Sequence, residues 1–220
     1  MKLAAFGDSI TAGQYLEETD TYLHMLAVRF GLDAVNAGVP GNTTGQGLER
    51  FERDVIAHRP DACIVAFGMN DHVLTAPGIA KTPLADFRRN VERIVGRLRE
   101  EGIAPLLATV NPIIEGDAER YYYNRHPREW YRDPDGAQAR IDLYNEAIRG
   151  VAAALDVPLA DVALYWSRFV EEGGRLRDLL RTVENSGDDD GVHPTAAGQR
   201  LIAECIGDVL ARHFPVADAG

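Results

Sequence analysis

Phe6-Gly7-Asp8-Ser9-Ile10-Thr11-Ala12-Gly13 follows directly on the first apolar run of the chain, Leu3–Phe6. A short continuous apolar run that stops at a Gly-Asp turn reads as a buried strand leaving a core. A serine stranded at that exit is badly placed for packing and well placed for a nucleophile. Taken alone, Ser9 reads more readily as the cap of a helix, because serine after such a turn satisfies orphan backbone donors. The rest of the chain decides between the two.

Further runs of the same kind follow at Ala34–Asn36, Ala62–Phe67, Pro105–Val110 and Val157–Ala160. Helical patterns separate them. Thr82-Pro83, a cap followed by proline at the first helical position, opens one that places Leu84, Phe87, Val91, Ile94, Val95 and Leu98 on one face and ends at Gly102. Ile141, Tyr144, Ile148, Val151 and Leu155 mark another. A last one starts at Pro194 and turns Leu201, Ile202, Cys205, Ile206, Val209 and Leu210 inward. Strands alternating with helices predict right-handed crossovers and a five-stranded parallel sheet covered on both faces. Strands buried on both faces are short unbroken apolar runs, as these are.

The bulk numbers narrow the function. A chain of 220 residues buries a sizeable core as one domain, here expected over 1–213 with a C-terminal tail at 214–220. A formal charge of −11 argues against nucleic acid as the main partner, since a phosphate backbone calls for a basic surface. No apolar run is long enough to span a bilayer, so stable membrane insertion is not expected. Met1-Lys2 leads into only a short apolar stretch, unlike a signal peptide, and the chain reads as cytoplasmic. Cys63 and Cys205 sit in apolar runs and are expected to be buried packing residues.

Two stretches break the rhythm. Residues 111–135 are dense in Tyr, Arg and Pro with no clean period, and residues 165–193 end in Asp188-Asp189-Asp190. Segments this long without a pattern tend to be functional or disordered. In an open parallel sheet, ligands bind beyond the carboxyl ends of the strands, where strand order reverses. With the order 2-1-3-4-5, Ser9 stands on the middle of three adjacent strands. The loop Asn36–Thr44 lies on one side of it and Gly68-Met69-Asn70-Asp71 on the other. Serine attack on an ester carbonyl makes a tetrahedral oxyanion that needs preorganised donors. Gly41 offers a backbone N–H unobstructed by a Cβ, Asn70 a side-chain amide, and Ser9 its own N–H. His193 is expected to take the serine proton and Asp190, three residues earlier, to orient the imidazole.

These blocks together resemble the SGNH (GDSL) hydrolase superfamily over nearly the whole chain. Gly7-Asp8-Ser9-Ile10 is similar to its nucleophile block, with Ile where the family name has Leu. Asn36-Ala37-Gly38 through Gly41-Asn42-Thr43 resembles the block of the glycine donor, Gly68-Met69-Asn70-Asp71 that of the asparagine donor, and Asp190-Gly191-Val192-His193-Pro194 the Asp-x-x-His block. The resemblance implies a flavodoxin-like three-layer α/β/α sandwich and ester hydrolysis by an acyl-serine intermediate, with no metal or cofactor. Gly38 competes with Gly41 as donor; Gly41, which precedes a polar Asn-Thr-Thr turn, is preferred. Asp188 and Asp189 compete with Asp190, which alone has the three-residue spacing to His193.

Around this centre, Asp8, His72, Tyr123 and Trp130 are the pocket candidates. Asp8 holds the turn, His72 lies next to the Asn70 block, and Tyr123 and Trp130 belong to the aromatic stretch expected to shape the acceptor side. The same stretch also reads as core packing or as an oligomer interface, which leaves a homo-oligomer open. A lid rich in Tyr and Arg favours short acyl esters, such as acetyl groups on carbohydrates, over long triglycerides. A lysophospholipase or thioesterase with the same machinery, and a non-catalytic binding protein on the same fold, are the rival readings.

Overall fold

The computed structural model describes residues 1–216. In chain order it contains β1 (Lys2–Gly7), α1 (Ser9–Ala12), α2 (Tyr22–Phe30), β2 (Asp33–Gly38), α3 (Thr44–Asp54), β3 (Ala62–Ala66), β4 (Leu74–Ala76), β5 (Ile79–Ala80), α4 (Leu84–Glu100) and β6 (Ala104–Ala108). There follow α5 (Tyr122–Arg125), α6 (Ala137–Leu155), β7 (Leu159–Ala160), α7 (Val162–Glu171), α8 (Leu176–Leu179), α9 (Val183–Ser186) and α10 (Ala196–His213). The main sheet runs β2-β1-β3-β6-β7, every pair parallel. Helices α2, α7 and α10 pack together on one face, and α3, α4 and α6 on the other. This is the three-layer sandwich expected, with the order reversing at β1.

Side chains from both faces of β1 and β3 are buried, as central strands require. The edge strand β2 differs from the expectation of a doubly covered strand: Asp33, Ala34 and Asn36 are exposed because, among the described residues, no strand pairs beyond β2. Helix α4 buries Phe87, Val91, Ile94, Val95 and Leu98, the face its spacing predicts. Its cap falls on Pro83 rather than Thr82, whose side chain bonds Asp71 instead.

Both irregular segments hold helices: α5 lies within 111–135, and the C-terminal part of α7 with α8 and α9 within 165–193. The first seven residues of 165–193 belong to α7, whose cap is Asp161 and whose Trp166 is fully buried beneath α10. Residues 74–80 form a small antiparallel hairpin that no period announced. Cys63 and Cys205 are buried and free. At the C-terminus, Phe214 and Val216 of the expected tail pack against the core. Residues 217–220, its outer part, lie outside the described residues.

Candidate active site

The turn after β1 is built by close approach. A Cβ on Gly7 would meet Thr11 Oγ1 at 2.2 Å, and one on Gly38 would meet the Ala12 nitrogen at 2.2 Å. Both positions therefore admit only glycine, and α1 folds tightly over the strand ends. Asp8 caps that helix by accepting from Ile10 N at 3.0 Å, which leaves Ser9 at its first turn, 5% exposed.

Three side chains meet in line at this point. His193 Nε2 lies 3.0 Å from Ser9 Oγ, and His193 Nδ1 lies 2.8 Å from Asp190 Oδ2. The other oxygen of Asp190 accepts from Val192 N at 2.8 Å and His193 N at 2.9 Å. Burial pushes the Asp190 carboxyl up, but its hydrogen bond to His193, the imidazole charge and the two backbone donors outweigh that and hold it below the usual carboxylate range. An ionised acid, an imidazole and a hydroxyl in sequence are what acyl transfer by a serine requires. Asp188 and Asp189, the competing acids, have other partners. Asp188 pairs with Arg181, and Asp189 accepts from Tyr121 N and from Asn124 Nδ2.

The loop carrying Asp190 and His193 is strapped from both sides. Arg181 N donates to His193 O and Gly191 N to Arg181 O, each at 2.9 Å, while Ile114 N donates to Gly191 O at 2.8 Å. Arg125 reaches the carbonyls of Asp189 and Asp190. The segment 111–135 thus holds the 188–193 loop, a coupling invisible in the sequence because its members are scattered and aperiodic.

Asn70 enters from the loop after β3 and donates to Asn42 O at 3.1 Å and Asp8 Oδ2 at 3.3 Å. Gly38 and Gly41 differ in their partners. Gly38 N donates to Asn36 Oδ1 at 3.0 Å. Gly41 N and Ser9 N make no hydrogen bond among the described residues. Gly41 also sits at φ +78°, a backbone state that glycine takes without strain.

A cavity of about 490 Å³ opens at Ser9, Asn70, Asp190 and His193. Its walls include Tyr15, Arg125 and His126, residues that sequence reasoning missed, and Met69 and Val73. The four residues expected to line it do not. His72 is fully buried, its Nε2 2.8 Å from Tyr122 Oη and its Nδ1 3.3 Å from Gly68 O. Burial pushes its pKa down to about 3. Tyr123 turns inward, donating to Glu115 at 2.7 Å and accepting from Ala137 N at 2.9 Å. Trp130 packs against the core. Asp8 borders a separate inner cavity of about 30 Å³ with Tyr22, Phe67 and Asn111. In each case a hydrogen-bond partner or an apolar surface below the site outcompeted the pocket. Among the described residues no group of three His, Cys, Asp or Glu is arranged to hold a metal ion.

The parallel sandwich thus carries a carboxylate, an imidazole and a hydroxyl aligned beyond the carboxyl end of β1, where the strand order reverses. Residues 5–201 match the GDSL-like lipase/acylhydrolase family, and the chain belongs to it. It is an enzyme of the esterase class that this family comprises. An uncharacterized lipoprotein of Bacillus subtilis, YqeF, is 34% identical over 94% of this chain and 88% of its own length. An arylesterase of Vibrio mimicus is 23% identical over 97% of this chain and 90% of that one. Among solved structures, a lipase/acylhydrolase from Enterococcus faecalis superposes with a TM-score of 0.71 at 26% identity, covering 100% of this chain and 98% of the other. A catalytic mutant of the acetylxylan esterase Axe2 from Geobacillus stearothermophilus gives 0.70 at 20% identity, covering 97% and 94%.

Proposed function

We propose that this enzyme hydrolyses carboxylic esters through an acyl-serine intermediate, with short, acetyl-type acyl groups carried on carbohydrate alcohols as its substrates. The observation that carries the reading is the unbroken line Asp190–His193–Ser9 at the floor of one open cavity. Ser9 Oγ attacks the carbonyl carbon while His193 Nε2 takes its proton. The oxyanion formed is met by Ser9 N, Gly41 N and Asn70 Nδ2. As the intermediate collapses, His193 gives the proton to the departing alcohol oxygen, and Asp190 stabilises the imidazolium in between. Water then attacks the acyl-Ser9 ester, with His193 again as base, releasing the carboxylic acid and restoring the hydroxyl.

The acyl preference rests on the wall of the cavity, which carries Arg125, Asp188 and Asp189 among its lining residues. A long alkyl chain gains nothing by displacing water from charged groups, whereas a short acyl group on a polyol does not have to. The name of one relative, an acetylxylan esterase, agrees with an acetyl group on a carbohydrate.

A p-nitrophenyl ester series from acetate to palmitate, run with EDTA on the wild type and Ser9→Ala, tests the proposal. Hydrolysis peaking at acetate or butyrate and lost in the variant is the expected result. A peak at long chains moves the substrate to lysophospholipids or thioesters. No hydrolysis together with no fluorophosphonate labelling leaves a binding protein on this fold.

A further inference from the structure

Tyr15 occupies an unusual position beside His193. Leu16 N donates to Gly13 O at 3.0 Å, closing a tight turn whose third residue is Tyr15, at φ +71°. A turn with positive φ at that position favours glycine, and a bulky residue there is strained. Such strain persists where the surroundings hold it, and it clusters at functional sites. Here the surroundings do hold it. The Arg181 guanidinium lies over the Tyr15 ring, 4.7 Å from its centroid, and Arg181 is itself paired with Asp188. The ring meets the His193 imidazole edge to face, centroids 5.2 Å apart and planes at 88°. Despite these contacts Tyr15 is 57% exposed, whereas Tyr122, the other tyrosine of the cavity, is 2% exposed and covered by His126.

Direction follows from the chemistry. An alcohol leaves next to the imidazole that protonates it, so the side chain touching His193 borders the alcohol half of the ester. We propose that Tyr15, backed by Arg181, is a specificity-determining residue whose exposed ring stacks on the alcohol and selects alcohols bearing a six-membered ring with a broad apolar face. A pyranose presenting its C–H face and an aryl group share that property. The assignment rests on Ser9 and His193 acting as nucleophile and base. Aromatic packing of this kind contributes up to about tenfold in an equilibrium constant.

The experiment compares kcat/KM for three acetates: an O-acetylated methyl xylopyranoside, phenyl acetate and ethyl acetate. Tyr15→Gly removes the ring and suits the backbone, Tyr15→Asn tolerates the same φ, and Tyr15→Phe keeps the stacking face. The expected result is that the ratio of ring-bearing to ethyl ester falls about tenfold in Tyr15→Gly and Tyr15→Asn, mostly through KM, and is retained in Tyr15→Phe. A fall confined to the xyloside or to phenyl acetate names the source of the ring. Equal losses on all three esters, or unchanged ratios, overturn the assignment. A wild type labelled by fluorophosphonate but inert toward all three overturns it alone, and a wild type neither labelled nor active overturns the esterase reading beneath it.

Discussion

Asn70 Nδ2 lies 3.3 Å from Asp8 Oδ2, and its second hydrogen is directed to Asn42 O at 3.1 Å. The amide is therefore held by the loops after β1 and β2 while bordering the same cavity as Ser9. Both bonds are longer than the usual N–H···O distance of about 2.9 Å, so the amide is only loosely engaged and, under the proposed mechanism, free to turn to the oxyanion.

Asn70→Ala is expected to lower kcat on a short p-nitrophenyl ester by about 10²–10³ with a small change in KM, the loss typical of one oxyanion donor. Full activity in the variant would remove Asn70 from the scheme.

Asp190→Asn keeps a side chain of the same shape but leaves His193 Nδ1 facing a group that no longer stabilises the imidazolium. A drop of about 10⁴ in kcat is expected, with melting temperature changed little. Steady-state kinetics and a thermal melt on the same sample separate the two effects, and a loss of activity matched by unfolding would refute the assignment.

Asp8 titrates unlike an ordinary carboxyl. Burial above all, together with the nearby Asp71 charge, raises its pKa from 3.8 to about 7, against the opposing bond from Ile10 N, the His193 charge and the bond from Asn70. A folded-state pKa above the unfolded one means that the folded protein binds the proton more tightly. The stability this gives is fully present below pH 3.8 and is lost as the pH rises through about 7. Asp8→Asn carries no such proton, so its melting temperature relative to wild type should climb between pH 4 and pH 8. Parallel curves across that range would contradict the buried titration.

Tyr122 Oη bridges His72 Nε2 at 2.8 Å and Tyr131 Oη at 2.9 Å, all three residues buried. Tyr122→Phe strands His72 Nε2, while Tyr131 Oη keeps its bond from Leu74 N at 3.1 Å, and the change should destabilise the fold by about 1–3 kcal/mol in urea unfolding. An unchanged midpoint would show that the network is dispensable.

Asp189 ties the 188–193 loop to the segment 111–135 through Tyr121 N and Asn124 Nδ2. Asp189→Ala should speed limited proteolysis within 111–135 several-fold while leaving cleavage elsewhere unaltered. Equal protection in both proteins would mean that the other straps suffice.

How far the sequence carries depends on what kind of signal each residue sends. Ser9 and Asn70 were legible because they follow apolar runs, and a parallel sheet collects strand ends at one edge. His193 and Asp190 were legible because their relation is local, three residues apart. Tyr15, Arg125 and His126 send no periodic signal, since loop side chains are aimed by tertiary contacts. The same lack misplaced His72 and Tyr123: an aromatic next to a site turns inward when a buried hydroxyl or carboxylate offers it a partner. The hairpin at 74–80 and the α7 turn of 165–171 were missed because short elements lean on neighbours rather than on their own pattern.

The straps between residues 111–125 and 188–193 also bear on how such an enzyme is re-engineered. Arg125, which borders the cavity, hydrogen-bonds the backbone of Asp189 and Asp190. Swapping the wall for one from a relative with another substrate range would disturb the alignment of the acid and the base at the same stroke. Recognition and turnover are thus inherited as one unit here, and a graft keeps its activity only if wall and loop are transplanted together.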